Sequence, residues 1–362
     1  MDYLLVYAVA ELLLSIHISL SNFIVLYVYV RKKYVRTVTN SYIFSLALTD
    51  FLAGSLGIPI TVISVMTRRP HSFYGCLFVH LILCILCTIS TFHMLAIAVD
   101  KYVTICCRDQ LFRSRRTRAV FLIALSWVAG TAVAILPLFN AFGFAETESS
   151  FHATGDQCYF TKVVDYRYLV YVIFVGTILA PTLLIVFCYV SIYSRIRKEE
   201  HQIKCLLRKS ERDRRMQGRR RLIKILLILV VSYGICWYPL YVINSIDYFL
   251  PEFSIAGLTL WTVVLSHMSC ALNPLIYAYG MPGFKKALRE FFNVSTFQSN
   301  TGANYSCYMK CSDAGKANQN QSDRIRRFPS ETVRKISAPT PIIKRSLTEV
   351  YKLMRRRTID IT

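Results

Sequence analysis

The chain has 362 residues, 54% of them hydrophobic, and carries 43 Lys+Arg against 21 Asp+Glu for a net charge of +22. A mean hydropathy of +0.41 is more apolar than a soluble domain of this length usually is. The basic residues sit in short blocks between long uncharged runs, a layout that argues against nucleic acid as a partner and for loops that face an acidic lipid leaflet.

A hydrocarbon core about 30 Å thick needs roughly 20 apolar residues of helix. Seven stretches meet this requirement: Leu4–Val30, Val38–Met66, Phe73–Ile105, Arg118–Phe139, Tyr166–Arg195, Arg221–Tyr248 and Ile255–Tyr279. Four contain uncharged cores (Ala119–Phe139, Tyr168–Ser194, Ile225–Ile246 and Phe253–Phe284), more than a soluble fold would bury. The runs are continuous rather than alternating, which excludes a β-barrel. The expected fold is an all-α membrane protein, a bundle of seven transmembrane helices.

Lys and Arg in the loops set the orientation. Arg31, Lys32, Lys33 and Arg36 follow the first span, Arg108, Arg113, Arg115, Arg116 and Arg118 follow the third, and a dense basic run from Arg195 to Lys224 follows the fifth. Across the membrane, Arg68, Arg69, Lys162 and Arg167 are offset by Glu146, Glu148, Asp156 and Asp165. The basic loops are therefore cytoplasmic, with a short N-terminus outside and the C-terminus inside, as in a multi-pass plasma-membrane protein. Met1 leads straight into apolar sequence without a basic region or an A-x-A site, so the first helix is expected to act as its own insertion signal.

After the seventh span, Pro282–Phe292 reads as a short amphipathic helix along the membrane surface. Phe284, Leu288, Phe291 and Phe292 lie on one face, and Lys285, Lys286 and Arg289 on the other. This divides the chain into a membrane domain, 1–292, and a polar, basic, disordered cytoplasmic tail, 293–362. The sequons at Asn293, Asn304 and Asn320 fall on the cytoplasmic side and are expected to stay unglycosylated. Most of the twelve cysteines, such as Cys84, Cys87, Cys188, Cys236 and Cys270, lie in apolar runs or basic segments and read as packing residues. No CxxC pair repeats at zinc spacing, and no motif points to a catalytic residue or an enzyme.

Polar residues inside the spans carry the functional signal, because each is costly in lipid. In chain order they include Asn22, Asp50 in LALTD, Asp100-Lys101-Tyr102, Trp127, Pro181 with Tyr189, Cys236-Trp237-Tyr238-Pro239, and Asn273-Pro274-Leu275-Ile276-Tyr277. Together they resemble the rhodopsin-like G-protein-coupled receptors over about Leu4 to Phe292. YGCLF…MLAIAVDKY, CYFTKVV, CWYPLYVIN and VLSHMSCALNPLIYAY narrow the resemblance to the adenosine receptors. That resemblance implies a disulfide between Cys76 and Cys158, the two cysteines placed on the oxidising face.

The resemblance also implies a ligand site. Phe160, two residues after Cys158, matches the Phe that stacks on adenine, and Asn244, five after Pro239, matches the Asn on the adenine edge. Ser266-His267 match the ribose pair, and Glu11 matches the acid that pairs with that His. Leu83, Cys87, Leu169, Leu240 and Trp237 complete the implied wall. The chemistry suits a purine, since an amide donates and accepts at once and an aromatic face stacks on a base for about 1–3 kcal/mol. Singly, Phe160 also reads as a loop anchor, Asn244 as a helix cap, Glu11 as a side chain snorkelling to water, and His267 as a satisfied core histidine.

Several positions depart from the family. Its Asp-Arg-Tyr is Asp100-Lys101-Tyr102, and the acid at the base of the sixth helix is Arg219, which is expected to repel Lys101. The Glu after the stacking Phe is Thr161, a His in the sixth helix is Tyr241, and a Thr in the third is Cys87. A sodium pocket keeps Asp50, Ser90, Trp237 and Asn273 but has Ser269 and Cys270 where the family has Asn and Ser. This leaves room for a sodium ion as the one cofactor, more weakly bound. Leu83 occupies the position of the aminergic aspartate, which argues against amine ligands.

The favoured reading is a receptor that binds adenosine or a related nucleoside outside and activates a heterotrimeric G protein inside. Asp100, Lys101, Tyr102, Tyr189, Pro239 and Tyr277 would carry activation. The competing reading is a divergent receptor with a different small ligand or weak coupling. A transporter would need repeated halves with broken helices, which are not seen. Arrestin, basophilic kinases acting on Ser337 (RKIS), Ser346 (KRS) and Thr358 (RRRT), and membrane lipid are further expected partners.

Overall fold

The computed structural model describes residues 2–107, 114–139, 144–153, 155, 157–204, 209–253 and 256–292. Among them, seven helices are long and apolar enough to cross a membrane. We label the spanning helices α1 (Asp2–Arg31), α2 (Val38–Thr67), α3 (Phe73–Ile105), α4 (Arg115–Ala134), α5 (residues 168–204), α6 (Lys209–Phe249) and α7 (Ala256–Gly280), followed by α8 (Pro282–Phe292). The expected tail, 293–362, with Ser337, Ser346, Thr358 and the three sequons, lies outside the described residues.

Proline explains where the helices depart from ideal. α2 carries a π turn at Ala53–Gly57, just before Pro59, and α5 is π-helical over Tyr168–Leu179, just before Pro181. A proline has no N–H for the carbonyl four residues back, and a wider turn absorbs the mismatch. α4 starts at Arg115 and ends at Ala134, not at the expected Arg118 and Phe139. Residues Leu136–Phe139 form a 3-10 turn because Pro137 cannot continue the helix and restrains Leu136. α6 begins well before the expected Arg221 and runs through the basic loop, whose Lys, Arg, Glu and Gln are good helix formers. A ten-residue helix, Phe144–Ala153, lies in the outer loop, where no helix was expected. Its Phe151 is fully buried against Phe73 at 5.8 Å.

α3 lies at the centre and packs on α2, α4 and α5, while α7 packs on α1 and α6. α4 approaches α3 so closely that a Cβ on Gly130 would meet backbone atoms of Ile89 at 2.8–2.9 Å, the small-residue contact by which membrane helices pack. The outward faces are apolar: Leu13, Leu20, Val128, Leu183, Phe187, Val190 and Ile235 are all more than half exposed. Such a belt belongs in lipid. In α8, Phe284 and Ala287 are buried against the bundle, while Phe291 and Phe292 remain exposed beyond it. On the cytoplasmic side Lys32 donates to Glu290 at 2.7 Å and Tyr34 donates to the same oxygen at 3.2 Å. The ion pair raises the Lys32 ammonium pKa and holds the Glu290 carboxyl below its ordinary range. The Glu290 contribution is therefore present above the usual carboxylate range and lost as pH falls through its lowered pKa, so the latch is intact at neutral pH.

Candidate functional site

The outer ends of the helices enclose a cavity of about 460 Å³, a size that suits a small molecule. A disulfide between Cys76 at the top of α3 and Cys158, with Cα atoms 5.5 Å apart, holds the outer loop over its mouth. The Cys158 N–H also donates to the carbonyl of Arg68, the residue that ends α2 in a left-handed conformation at φ 58°. Replacing either cysteine by Ser is expected to cost about 2–5 kcal/mol of stability and to reduce both surface expression and ligand binding. Surface immunolabelling checks this, and wild-type levels in both variants would contradict it.

Phe160, Leu83, Cys87, Leu169, Trp237, Leu240, Asn244, Ser266 and His267 all line this one cavity. Phe160 is 38% exposed and meets the His80 ring edge to face at 5.3 Å, which orients its own ring. Asn244 is buried near the outer end of α6. Ser266 donates its hydroxyl to the carbonyl of Val263, so that its oxygen retains acceptor capacity. His267 Nδ1 lies 3.0 and 2.9 Å from the two Glu11 carboxylate oxygens. With Nδ1 donating to Glu11, Nε2 is left for the cavity. Glu11 is fully buried behind His267 and is not part of the cavity wall. From there its carboxylate orients the imidazole.

The floor is an aromatic ladder. Trp237 stacks on Tyr241 at 5.9 Å, lies 5.7 Å from the Tyr233 ring, and donates its indole N–H to Ser269 at 2.9 Å. Tyr241 also stacks on Phe174 at 5.6 Å, and Tyr233 is bonded to Thr91. Below it, Asn273 donates to Asp50 at 2.7 Å, Ser90 donates to the other Asp50 oxygen at 3.2 Å, and Thr49 contacts Ser90 at 2.9 Å. The Cys270 thiol also stands beside Asp50. For sodium, a hard cation, Asp50 and Ser90 supply oxygen, whereas Cys270 presents sulfur, so the donor set fits only in part.

At the cytoplasmic end Asp100 is held by two cations. Lys101 Nζ reaches Asp100 at 3.0 Å and the Thr39 hydroxyl at 2.7 Å, and Arg118 Nε reaches the other Asp100 oxygen at 2.9 Å. Lys101, Asp100 and Arg118 are all nearly fully buried. Lys101 is thus turned toward α2, and the side chain of Arg219 lies outside the described residues. Tyr102 meets Phe187, Tyr189 is buried, and the buried Tyr277 hydroxyl has no hydrogen-bond partner among the described residues. Residue patterns missed Arg118 and Thr39 as partners in this cluster, and Asp247, Tyr166, His80 and Arg68 as cavity residues. A helical-face reading would have found Asp247, three residues after Asn244.

Residues 21–277 match the model of the seven-transmembrane receptor (rhodopsin family). The chain belongs to the rhodopsin-like receptors. Within that family this receptor is related to the adenosine receptors. It is 33% identical to the human adenosine receptor A2a over 298 residues, 79% of this chain and 71% of that protein. To the horse adenosine receptor A2a it is 32% identical over 298 residues, 79% of this chain and 72% of that one. Squid rhodopsin shares the fold, with a TM-score of 0.65 and 22% identity over 79% of this chain and 84% of its own. The receptor is accordingly a multi-pass plasma-membrane signalling protein rather than an enzyme. Its family supports an extracellular small-molecule ligand and a heterotrimeric G protein as partners.

Proposed function

We propose that the receptor binds adenosine or a closely related nucleoside in the outer cavity. The observation that carries this reading is the convergence of an aromatic face (Phe160), an amide (Asn244) and a Glu11-oriented His267 beside Ser266 on one cavity. The purine would stack on Phe160 and bond to Asn244, and the sugar hydroxyls would meet Ser266 and His267. Leu83, Cys87, Leu169, Leu240 and Trp237 would close the apolar wall around it. Ligand contact would bias the Trp237 ladder and the Pro239 kink of α6, shifting the population toward a cytoplasmic cleft that admits a G protein. Adenosine added to cells expressing the receptor is expected to activate a G protein in a second-messenger assay. A purine-free response profile at confirmed surface expression would favour a different small ligand, a reading to which Tyr241 and Thr161 lend support by their departure from the adenosine receptors.

Asp50 and Ser90, with Asn273, would hold a sodium ion weakly because Cys270 replaces an oxygen ligand. Arrestin and basophilic kinases acting on Ser337, Ser346 and Thr358 are proposed partners of the tail, where a phosphate would add about two negative charges to basic sequence.

Activation would be constrained by Lys101. An ammonium pairs with Asp100 and Thr39 as a point charge, but it offers no planar fork for Tyr189, Tyr277 or a G-protein carbonyl. Lys101→Arg is expected to raise the maximal agonist response with little change in ligand affinity. An unchanged or lower maximum at matched surface expression would contradict this.

A further inference from the structure

Asp247 stands at the outer end of α6, three residues after Asn244. Three helical residues rise about 4.5 Å and turn about 300°, so the two side chains share a face, and both line the cavity. Asp247 Oδ1 is closed off from solvent and has no hydrogen-bond partner among the described residues. The Tyr166 phenol lies beside the carboxylate. Because Asp247 lines the cavity, its carboxylate, which can only accept, is placed to meet an N–H donor that a ligand brings.

Among the described residues, the other charged side chains at the cavity wall or close behind it are engaged. Arg68 lies over the Tyr159 ring at 4.3 Å, and Glu11 is bound to His267. Arg167, at the start of α5, pairs with Asp165 at 2.8 Å. Thr161, where the adenosine receptors have a Glu, brings no carboxylate to the loop side of the cavity. Among the described residues lining the cavity, the acidic acceptor is therefore on α6, beside the amide.

We propose that Asp247 determines which purine the receptor accepts, by taking an N–H from an exocyclic amino group held between it and Asn244. The proposal rests on the nucleoside reading and deepens it. A 6-aminopurine offers two N–H donors at that edge and a ring nitrogen that accepts from the Asn244 amide. A 6-oxopurine places acceptor lone pairs against the carboxylate, and two acceptors repel. The site thus takes aminopurine nucleosides and rejects oxopurine ones.

The test is competition binding of adenosine and inosine to membranes bearing wild-type receptor, Asp247→Asn, Asp247→Ala and Asn244→Ala at matched surface levels. Wild type is expected to prefer adenosine by about tenfold or more. Asp247→Asn exchanges an acceptor for a donor and is expected to lose most of that preference, weakening adenosine and strengthening inosine. Asp247→Ala is expected to narrow the gap without strengthening inosine. If Asn244→Ala loses adenosine while both Asp247 variants discriminate as wild type does, the nucleoside reading stands and the role of Asp247 is overturned. If wild type binds neither purine, the nucleoside reading fails and this proposal fails with it. Should Asp247→Asn not reach the surface, Asp247→Ala, and rescue of preference by Asp247→Glu, decide the matter.

Discussion

Asn244→Ala is expected to lower nucleoside affinity more than tenfold at unchanged surface expression, and Phe160→Ala to do the same. Each change removes a different component of recognition. The Asn244 amide is buried in the cavity wall, so its hydrogen bonds to a purine edge form away from bulk water, where a good bidentate pair discriminates by about 1–3 kcal/mol. Phe160 contributes a stacking face, again about 1–3 kcal/mol, and its edge contact with His80 fixes the ring before the ligand arrives. Truncating either residue leaves the disulfide, the Glu11–His267 pair and the helix packing in place, so folding should be spared. Ligand displacement on both variants, normalised to surface receptor, measures the effect. Wild-type affinity in both would remove the purine site as assigned.

Asp100→Ala is expected to have the largest effect on stability. The substitution leaves Lys101 and Arg118 buried within one cluster, both charged, with the anion between them gone. Breaking a buried ion pair by removing one partner costs about 3–5 kcal/mol, a large share of the roughly 5–15 kcal/mol that holds a typical domain together. Surface receptor should fall severely and thermal inactivation should move to lower temperature. Combining Asp100→Ala with Arg118→Leu and Lys101→Met is expected to recover part of the loss, because no uncompensated charge then remains buried. A single Asp100→Ala variant with the expression and melting behaviour of wild type would show that the cations find other partners at little cost.

The parts of this molecule that are legible in its sequence are those governed by local physics. Hydropathy run length places seven spans, loop cations orient them, and the alternation of Phe284, Leu288 and Lys286 marks α8, whose helix begins at Pro282 as a proline at the first turn allows. The π turns were also accessible in principle, since Pro59 and Pro181 mark them, but a proline alone does not say whether a helix kinks, bulges or ends. What depends on tertiary neighbours is hidden. Arg118 counts as one more cytoplasmic cation until the approach of α4 at Gly130 carries it in to Asp100, 18 residues away in sequence. Lys101 invites comparison with Arg219, yet its partner beyond Asp100 is Thr39 on α2, because the buried ammonium satisfies its donors with the nearest oxygens. Glu11 and His267, 256 residues apart, were paired by resemblance, but only packing shows the acid behind the imidazole rather than in the cavity.

The most direct test of the account is saturation binding of radiolabelled adenosine to membranes from cells expressing the receptor, with Asn244→Ala measured alongside. The account predicts saturable binding that unlabelled adenosine displaces and that Asn244→Ala weakens more than tenfold. Absence of saturable binding at confirmed surface expression, or equal binding by Asn244→Ala, would contradict it.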